Sequence, residues 1–516
     1  MIRTELIRPV PELLAEHAAH RPDQVAFFDD QRQVSYRELA ANTARLAAHL
    51  ADLGMGAGEV ALLYLDNSVE TVEAYLAVPR AGGIAACANP RSAPAEVAHI
   101  LADSGAAVVI TDAAHLDTVR ELTAATRPRP VVVTVGGADP GSDTEYDYAS
   151  LLATPETSAP RDCLVLDDVS WMLYTSGTTG RPKGVYLTQR GCLWVVAACW
   201  APIVGLGPDD VVLSPLPLFH SYALDLCVLG VLAVGATERV LPRFSVDGVL
   251  ACLRSGRRYT LLPGVPTMFH YLLERSRAEE HAGLGDLRLC VSAGAIMPAA
   301  LNAEFERAFG VPLLDGYGIT ETSTMVTMNW PAGSRVMGSC GLPLPGLTVR
   351  LVDPATGTDV LPGEEGELWV QGPNVTPGYH NLPDATKAVL TDGWYHTGDL
   401  ACRDEHGFLR ISGRTKELII RGGENIYPAE VEDALLACPG VADAAVVGVP
   451  HDGLGEVPVA FVVPRAAPLD TAGVLAECGL RLSDFKVPSR LIEIDEIPRT
   501  GSGKILRFRL RERLAE

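Results

Sequence analysis

The chain has 516 residues, 47% hydrophobic and 21% charged, a globular composition able to bury a large core. That excludes a disordered chain or a disulfide-stapled miniprotein, and at ~100–200 residues per domain the length predicts about three or four folding units. Lys plus Arg is 42 against 64 Asp plus Glu, a net charge of −22; a nucleic-acid binder needs a basic face, and the basic stretch Arg499–Arg513 is too small and too terminal to supply one.

The N-terminal stretch Met1–His20 carries charges throughout and has no apolar signal core. Ser35–Gly54 reads as a helix. Ser35 and Glu38 make a capping box, Leu39, Leu46, Leu50 and Leu53 mark an apolar face, and Gly54 stops it. Strand-like runs at Val60–Leu65, Val108–Thr111 and Val131–Val135 alternate with helical segments, and Val211–Ser214, Leu287–Ser292 and Val349–Val352 continue the series. This alternation predicts layered α/β subdomains with mostly parallel sheets. The longest uncharged run, 18 residues between Arg190 and Asp209, is interrupted by Pro202, Gly205, Gly207 and Pro208, so it reads as a buried helix and loop rather than a membrane span. The 11 cysteines are scattered, with no Cys-x-x-Cys pair and no zinc-type spacing, as expected of reduced thiols in a cytoplasmic protein.

After Trp394 the texture changes. A hairpin turning at Asp404–Gly407 leads into Arg414-Thr415-Lys416, followed by a helix at Pro428–Ala437 and strands at Ala444–Val449 and Val457–Val463. This tail of about 100 residues is of domain size. The predicted division is a large α/β domain over 1–415 and a small α+β domain over 416–516. The Ala- and Pro-rich stretches near 154–160 and 464–468 read as loops.

Five segments carry the chemistry. The first is Tyr174-Thr-Ser-Gly-Thr-Thr-Gly-Arg-Pro-Lys-Gly-Val185. Its glycines let the backbone turn and approach a ligand, the hydroxyls of Thr175, Ser176, Thr178 and Thr179 are donors, and Lys183 adds charge, which suits phosphate oxygens. It is not a Walker A loop, because Gly184 follows Lys183. The second, Asp315-Gly-Tyr-Gly-Ile-Thr-Glu321, offers a carboxylate for a hard cation and a flat ring at Tyr317 for a base; alone, it would pass for an ordinary loop. The third, Tyr395-His-Thr-Gly-Asp399, puts a carboxylate just after a Gly turn, where it can accept two ribose hydroxyls. The fourth runs from Gly413 to Ile426. The fifth, Pro498-Arg-Thr-Gly-Ser-Gly-Lys504, presents a lysine after two glycines, a mobile point charge suited to an α-phosphate; standing alone, Lys504 would read as a solvated tail lysine.

In this order the five resemble the adenylate-forming superfamily of acyl- and aryl-CoA ligases, peptide-synthetase adenylation domains and beetle luciferases, over nearly the whole chain from Ser35 to Arg507. The resemblance implies ATP and Mg²⁺ as co-substrate and cofactor, and a small carboxylic acid that becomes an acyl-adenylate. The acceptor is then CoA or a carrier-protein phosphopantetheine. It implies that Thr175, Ser176, Gly177, Thr178, Thr179 and Lys183 hold the triphosphate, that Thr320 touches the α-phosphate, and that Glu321 binds Mg²⁺. Asp399 and Arg414 would hold the ribose. Tyr317 would stack on adenine within Asp315-Gly316-Tyr317, with Gly294 and Ala295 alongside. Lys504 would stabilise the charge growing on the α-phosphate. Lys416 matches the hinge, about which the small domain rotates to turn the Gly422-Gly423 loop toward the acceptor.

By the same resemblance the acid pocket is lined by Phe219, His220, Ser221, Tyr222, Val265, Gly294 and Gly318, with His220 as the gate beside the carboxylate. The segment Pro217–Leu224 looks most like 4-coumarate-type CoA ligases. Leu241–Ser245 together with Gly264–Phe269 is similar to malonyl-type ligases, where an arginine near Arg243 would pair with a second carboxylate. The Asp that holds an α-amino group in peptide-synthetase domains is absent. Gln189 stands where the family usually has histidine, and only a packing consequence is expected. The expected activity is that of an ATP-dependent aryl or small organic acid–CoA ligase. The alternatives are an adenylating enzyme with another acceptor (a carrier protein, an amine, or nitrite activation in natural-product biosynthesis) and a non-catalytic nucleotide-binding module.

Overall fold

The computed structural model describes residues 1–137, 141–155, 158–176, 182–278, 283–422, 424–451, 453–465, 469–500 and 503–515. These form four sheets. A seven-stranded sheet orders Glu145–Asp147, Val131–Val135, Val108–Asp112, Val60–Tyr64, Ile84–Cys87, Val169–Ser176 and Pro182–Thr188. All its pairings are parallel except the last, where Val169–Ser176 and Pro182–Thr188 make an antiparallel hairpin. A nine-stranded sheet has Leu313–Tyr317, Leu289–Ser292, Leu261–Gly264, Val211–Ser214, Thr237–Val240 and Val25–Phe28 as neighbouring parallel strands. Such strands are buried on both faces and need helices to cover them, which explains the apolar texture of most of them; Thr237–Val240, with buried Glu238 and Arg239, is the exception.

The helix read from the sequence spans Tyr36–Asp52, with both arms of the Ser35/Glu38 capping box formed. Leu39, Leu46 and Leu50 are fully buried on its inner side, in a core that also holds Trp171, Trp200 and Tyr75. The uncharged run after Arg190 forms the helix Gln189–Val195 and a π-helical turn over Val196–Trp200. Among the described residues, no helix is long and apolar enough to cross a membrane. All 11 cysteines are free thiols.

A third sheet is antiparallel, built on Thr348–Val352, Glu365–Gln371, Trp394–Arg403 and Leu409–Arg414, the last two joined through the expected turn at Asp404–Gly407. The fourth belongs to the tail. Val441–His451 and Gly455–Pro464 form its long central hairpin, flanked by Ile419–Arg421, Glu424–Ile426 and Arg490–Glu493. The helices Pro428–Leu436 and Thr471–Gly479 cover one side around a core of its own, including Ile419, Val431, Leu435 and Val446. The molecule is therefore a large α/β body with a small α+β C-terminal domain, as the sequence predicts.

Candidate functional site

Adjacent parallel strands end on the same side of a sheet, so the loops that leave their carboxyl ends share one crevice. Here the loops after Val211–Ser214, Leu261–Gly264, Leu289–Ser292 and Leu313–Tyr317 supply His220, Val265, Gly294 and Thr320 respectively. Leu216, His220, Tyr222, Val265, Met268 and Gly294 line a cavity of about 10 Å³, room for about one water. Tyr222 is held rigidly: its hydroxyl donates to Val291 O at 3.0 Å and its ring stacks on Trp200. Phe219 is half-buried against the core, Ala295 is exposed beside Gly294, and the Ser221 and Thr320 hydroxyls lie 3.3 Å apart. Arg243 is exposed and is not among the residues that line this small cavity.

His220 Nδ1 accepts the Tyr222 N–H at 3.2 Å, which leaves the ring proton on Nε2. Enclosure, with the nearby charge of Lys504, pushes its pKa down to about 3. At neutral pH it is an uncharged donor.

The Asp315–Glu321 segment reverses direction so tightly that a Cβ on Gly318 would lie 1.3 Å from Thr324 O. No other residue fits there without moving the turn that carries Thr320 and Glu321. Gly316 is confined less tightly: a Cβ there would lie 2.9 Å from Thr327 O and against the movable Met325 and Met328 methyls. Asp315 is buried, Oδ1 has no hydrogen-bond partner, and burial pushes its carboxyl well above the usual range. A buried acceptor without a partner is costly in isolation and suits a ligand's N–H.

Asp399 lies in the strand Trp394–Arg403 rather than in a free turn. The pairing with Glu365–Gln371 slips between Leu400 and His396, and Gly398 at φ 69° absorbs the bulge. Bulges re-aim side chains, and this one sends the Asp399 carboxylate inward. It accepts from the Tyr317 hydroxyl at Oδ2 and from Arg414 Nε at 2.9 Å at Oδ1. Arg414 faces it directly across the hairpin. Its guanidinium is held further on the charged side by Asp399, and burial beside that carboxylate pushes the Tyr317 phenol up.

Thr175 and Ser176 end one strand of the hairpin, and Lys183 begins the other, opposite Thr175. Gly177, Thr178 and Thr179 lie outside the described residues, as does Gly423. Lys183 Nζ sits 5.5 Å above the Tyr379 ring, and the Tyr379 hydroxyl donates to Glu321 Oε1 at 3.0 Å. Tyr379 was not foreseen from the sequence. The flanking Gly378 and Pro383 signal a turn but no chemistry.

Lys504 comes from the small domain. The Lys504 N–H donates to Thr500 Oγ1 at 3.0 Å, and a Cβ on Gly503 would lie 3.3 Å from Val265 in the wall of the His220 cavity. Burial and the Arg414 charge lower the Lys504 pKa, opposed by Asp399, Glu321 and Glu417. Lys504, His220, Glu321, Asp399 and Arg414, from both domains, are thus brought to one place. Lys416 is exposed just past Thr415, whose N–H donates to Gly398 O at 2.9 Å; Gly422 occupies the turn between Ile419–Arg421 and Glu424–Ile426. Gln189 is buried far along the chain from its partner, accepting the Val10 N–H at 2.9 Å and so satisfying the first turn of the N-terminal helix.

The AMP-binding enzyme family model matches residues 14–380, and the C-terminal domain model of the same family matches 430–504. The chain belongs to the AMP-binding enzyme family. The feruloyl-CoA synthase of an Amycolatopsis species is 38% identical over 484 residues, covering 93% of this chain and 94% of that protein. The naringenin synthase of Pestalotiopsis fici is 37% identical over 509 residues, 96% of this chain but 18% of that protein. The chain therefore spans about a fifth of the length of some curated relatives that it matches. Among solved structures, ATP-bound MatB of Rhodopseudomonas palustris superposes with a TM-score of 0.89 at 34% identity, covering 98% of this chain and 99% of that one. The AMP-binding fold thus accounts for both domains of this chain.

Proposed function

We propose that this AMP-binding enzyme activates a monocarboxylic acid, uncharged apart from its carboxylate, with ATP and passes the acyl group to CoA. The observation that carries the reading is the meeting of Lys504, from the small domain, with His220, Glu321, Asp399 and Arg414 of the large one. A carboxylate oxygen of the acid attacks the α-phosphorus of ATP, and the bond to the bridging oxygen breaks to release pyrophosphate. Lys504 stabilises the charge on the α-phosphate as it grows; a cation so placed is worth roughly 10²–10³ in rate. Thr320 hydrogen-bonds the same phosphate. Asp399, fixed by Tyr317 and Arg414, takes the ribose hydroxyls, and Asp315 Oδ1, a buried acceptor with no hydrogen-bond partner among the described residues, takes the base. The neutral His220 orients the acid carboxylate as a donor without neutralising it, so the nucleophile keeps its charge. Thr175, Ser176 and Lys183 hold the β- and γ-phosphates.

Mg²⁺ fits Glu321. Among the described residues no three His, Cys, Asp or Glu side chains cluster, and Mg²⁺ is commonly held by one or two carboxylates plus substrate phosphates. When bound, it neutralises phosphate charge. In the second step the CoA thiol, losing its proton, attacks the acyl carbonyl and AMP departs. Rotation about Lys416 withdraws Lys504 and turns the Gly422 loop inward. The apolar lining of the small cavity beside His220, with Tyr222, Val265, Met268 and Gly294 and no cation among them, favours an acid with an uncharged body over one with a second carboxylate.

The test is pyrophosphate release from Mg·ATP across benzoates, cinnamates, malonate, short fatty acids and nitrite, each with and without CoA. Turnover with aromatic monocarboxylates that requires CoA is expected. Release indifferent to CoA would overturn the acceptor, and malonate as the best substrate would overturn the pocket argument. Bound ATP with no release from any acid would overturn the enzyme reading.

A further inference from the structure

Two charged ends of the nucleotide site, Lys183 and Glu321, come from different parts of the large domain and share one neighbour. The segment 376–380 is stitched to both. Its backbone pairs with the second strand of the Lys183 hairpin: Val185 bridges Tyr379, Tyr186 N–H donates to Gly378 O at 3.1 Å, and His380 N–H donates to Gly184 O at 2.8 Å. On its other side, Thr376 N–H donates to Glu321 O at 2.8 Å. The Tyr379 side chain repeats the connection. Its ring lies beneath Lys183 Nζ at 5.5 Å, and its hydroxyl donates to Glu321 Oε1 at 3.0 Å. The Tyr395 hydroxyl is 3.0 Å from the Tyr379 oxygen. Because Tyr379 spends its only proton on Glu321, Tyr395 must be the donor, and the polarity runs Tyr395 to Tyr379 to Glu321.

We propose that Tyr379 is a positioning residue that sets the Glu321 carboxylate for the metal ion and the Lys183 ammonium for the phosphates, so that one side chain aligns both charges on the triphosphate. This rests on the nucleotide reading above. The ring steers a cation by its face, and the hydroxyl occupies one carboxylate oxygen and fixes the rotamer from which the carboxylate meets the ion. The two functions are separable. Tyr379→Phe removes the hydroxyl and keeps the ring under Lys183; Tyr379→Leu removes both.

The experiment is calorimetric titration of the full chain with ATP, without acid so that nothing turns over, once in excess MgCl₂ and once in EDTA. Partners of a metal-binding carboxylate typically contribute ~10–100-fold to metal affinity. Tyr379→Phe is expected to lose about 10-fold in affinity for Mg·ATP and less than about 2-fold for metal-free ATP. Tyr379→Leu is expected to lose about 3-fold for metal-free ATP as well, the loss of a ~0.5–1 kcal/mol cation–ring contact. Should Tyr379→Phe lack a cooperative unfolding transition, Tyr395→Phe, which removes only the donor behind Tyr379, is expected to give the same metal-selective loss, about 3-fold. A Tyr379→Phe protein that binds both forms as wild type does, or loses both equally, overturns the proposal while the nucleotide reading stands. Wild-type protein that binds neither form overturns both.

Discussion

Asp399→Asn is the sharpest single perturbation, because each carboxylate oxygen has a defined protein donor. The carboxylate is buried, 3% exposed, and spends one oxygen on the Tyr317 hydroxyl and the other on Arg414 Nε. An amide keeps one acceptor and puts an NH₂ where the other was. Oriented toward Tyr317 it forces that hydroxyl to turn; oriented toward Arg414 it sets donor against donor. One charge-assisted hydrogen bond is lost either way, worth ~1.5–3 kcal/mol. The Arg414 side chain is 43% exposed, so water compensates part of its unpaired charge. The expected cost is at the lower end, about 2 kcal/mol, a factor of roughly 30 in the folding constant. If Asp399 also holds the ribose, KM for ATP rises by at least about 10-fold, since a ligand hydroxyl meets a wrong or neutral partner. Denaturant unfolding gives the first quantity and pyrophosphate release at saturating acid the second. A stability change below about 0.5 kcal/mol, the range of ordinary surface substitutions, together with an unchanged KM for ATP, would refute the assignment of these bonds and of the ribose site.

Three further outcomes follow from particular contacts. Lys504→Ala is expected to abolish adenylate formation while leaving ATP binding largely intact; unimpaired pyrophosphate release would remove Lys504 from the chemistry. His220, with a folded-state pKa of about 3 against an unfolded value near 6.5, binds fewer protons folded than unfolded across that window. Its contribution to stability is therefore present above about pH 6.5 and is lost as pH falls toward 3, by up to ~1.4 kcal/mol per unit. Unfolding curves between pH 7 and 5 should show this slope in the wild type and a shallower one in His220→Gln; equal slopes would mean that the histidine is freely protonated. Gln189→Ala leaves the Val10 N–H unsatisfied, at a cost of ~1–3 kcal/mol, and KM for ATP should not move. A rise in KM without a loss of stability would give Gln189 a role in the site.

The site was legible wherever chemistry is compressed into consecutive residues. Glycines, hydroxyls and charges within a dozen positions mark out the segment whose two strands pair Thr175 with Lys183, and the Ser35/Glu38 pair announces its helix. Element ends were less legible when neighbours decide them. The strand read as Ala444–Val449 runs over Val441–His451, because pairing with Gly455–Pro464 continues past the apolar stretch through Pro450 and His451 to the tight turn. Asp399, expected after a turn, sits in a bulged strand because the slip is set by its partner, Glu365–Gln371. Tyr379 was not legible at all. A tyrosine shows its role only through what the fold brings to it, and Glu321 is 58 residues away in sequence.

The same geometry would tie the proposed acid binding to the proposed delivery of the lysine. Val265 lies 3.7 Å from where a Cβ of Gly294 would be and 3.3 Å from that of Gly503, so one side chain is at once a wall of the cavity proposed for the acid and a neighbour of the Lys504 loop. A larger residue at 265 would fill the cavity and also lift the loop. Its effects on acid KM and on kcat would therefore arise together, whereas a residue that only lined the pocket would change KM alone. Burial of Lys504 among Arg414, Asp399, Glu321 and Glu417 also means that this arrangement is electrostatically balanced only while those carboxylates are charged. Neutralising Asp399 thus removes one of the groups that keep the lysine protonated, in addition to loosening Tyr317 and Arg414, and the loss of rate in Asp399→Asn should grow as pH rises, because a lysine with a lowered pKa discharges sooner.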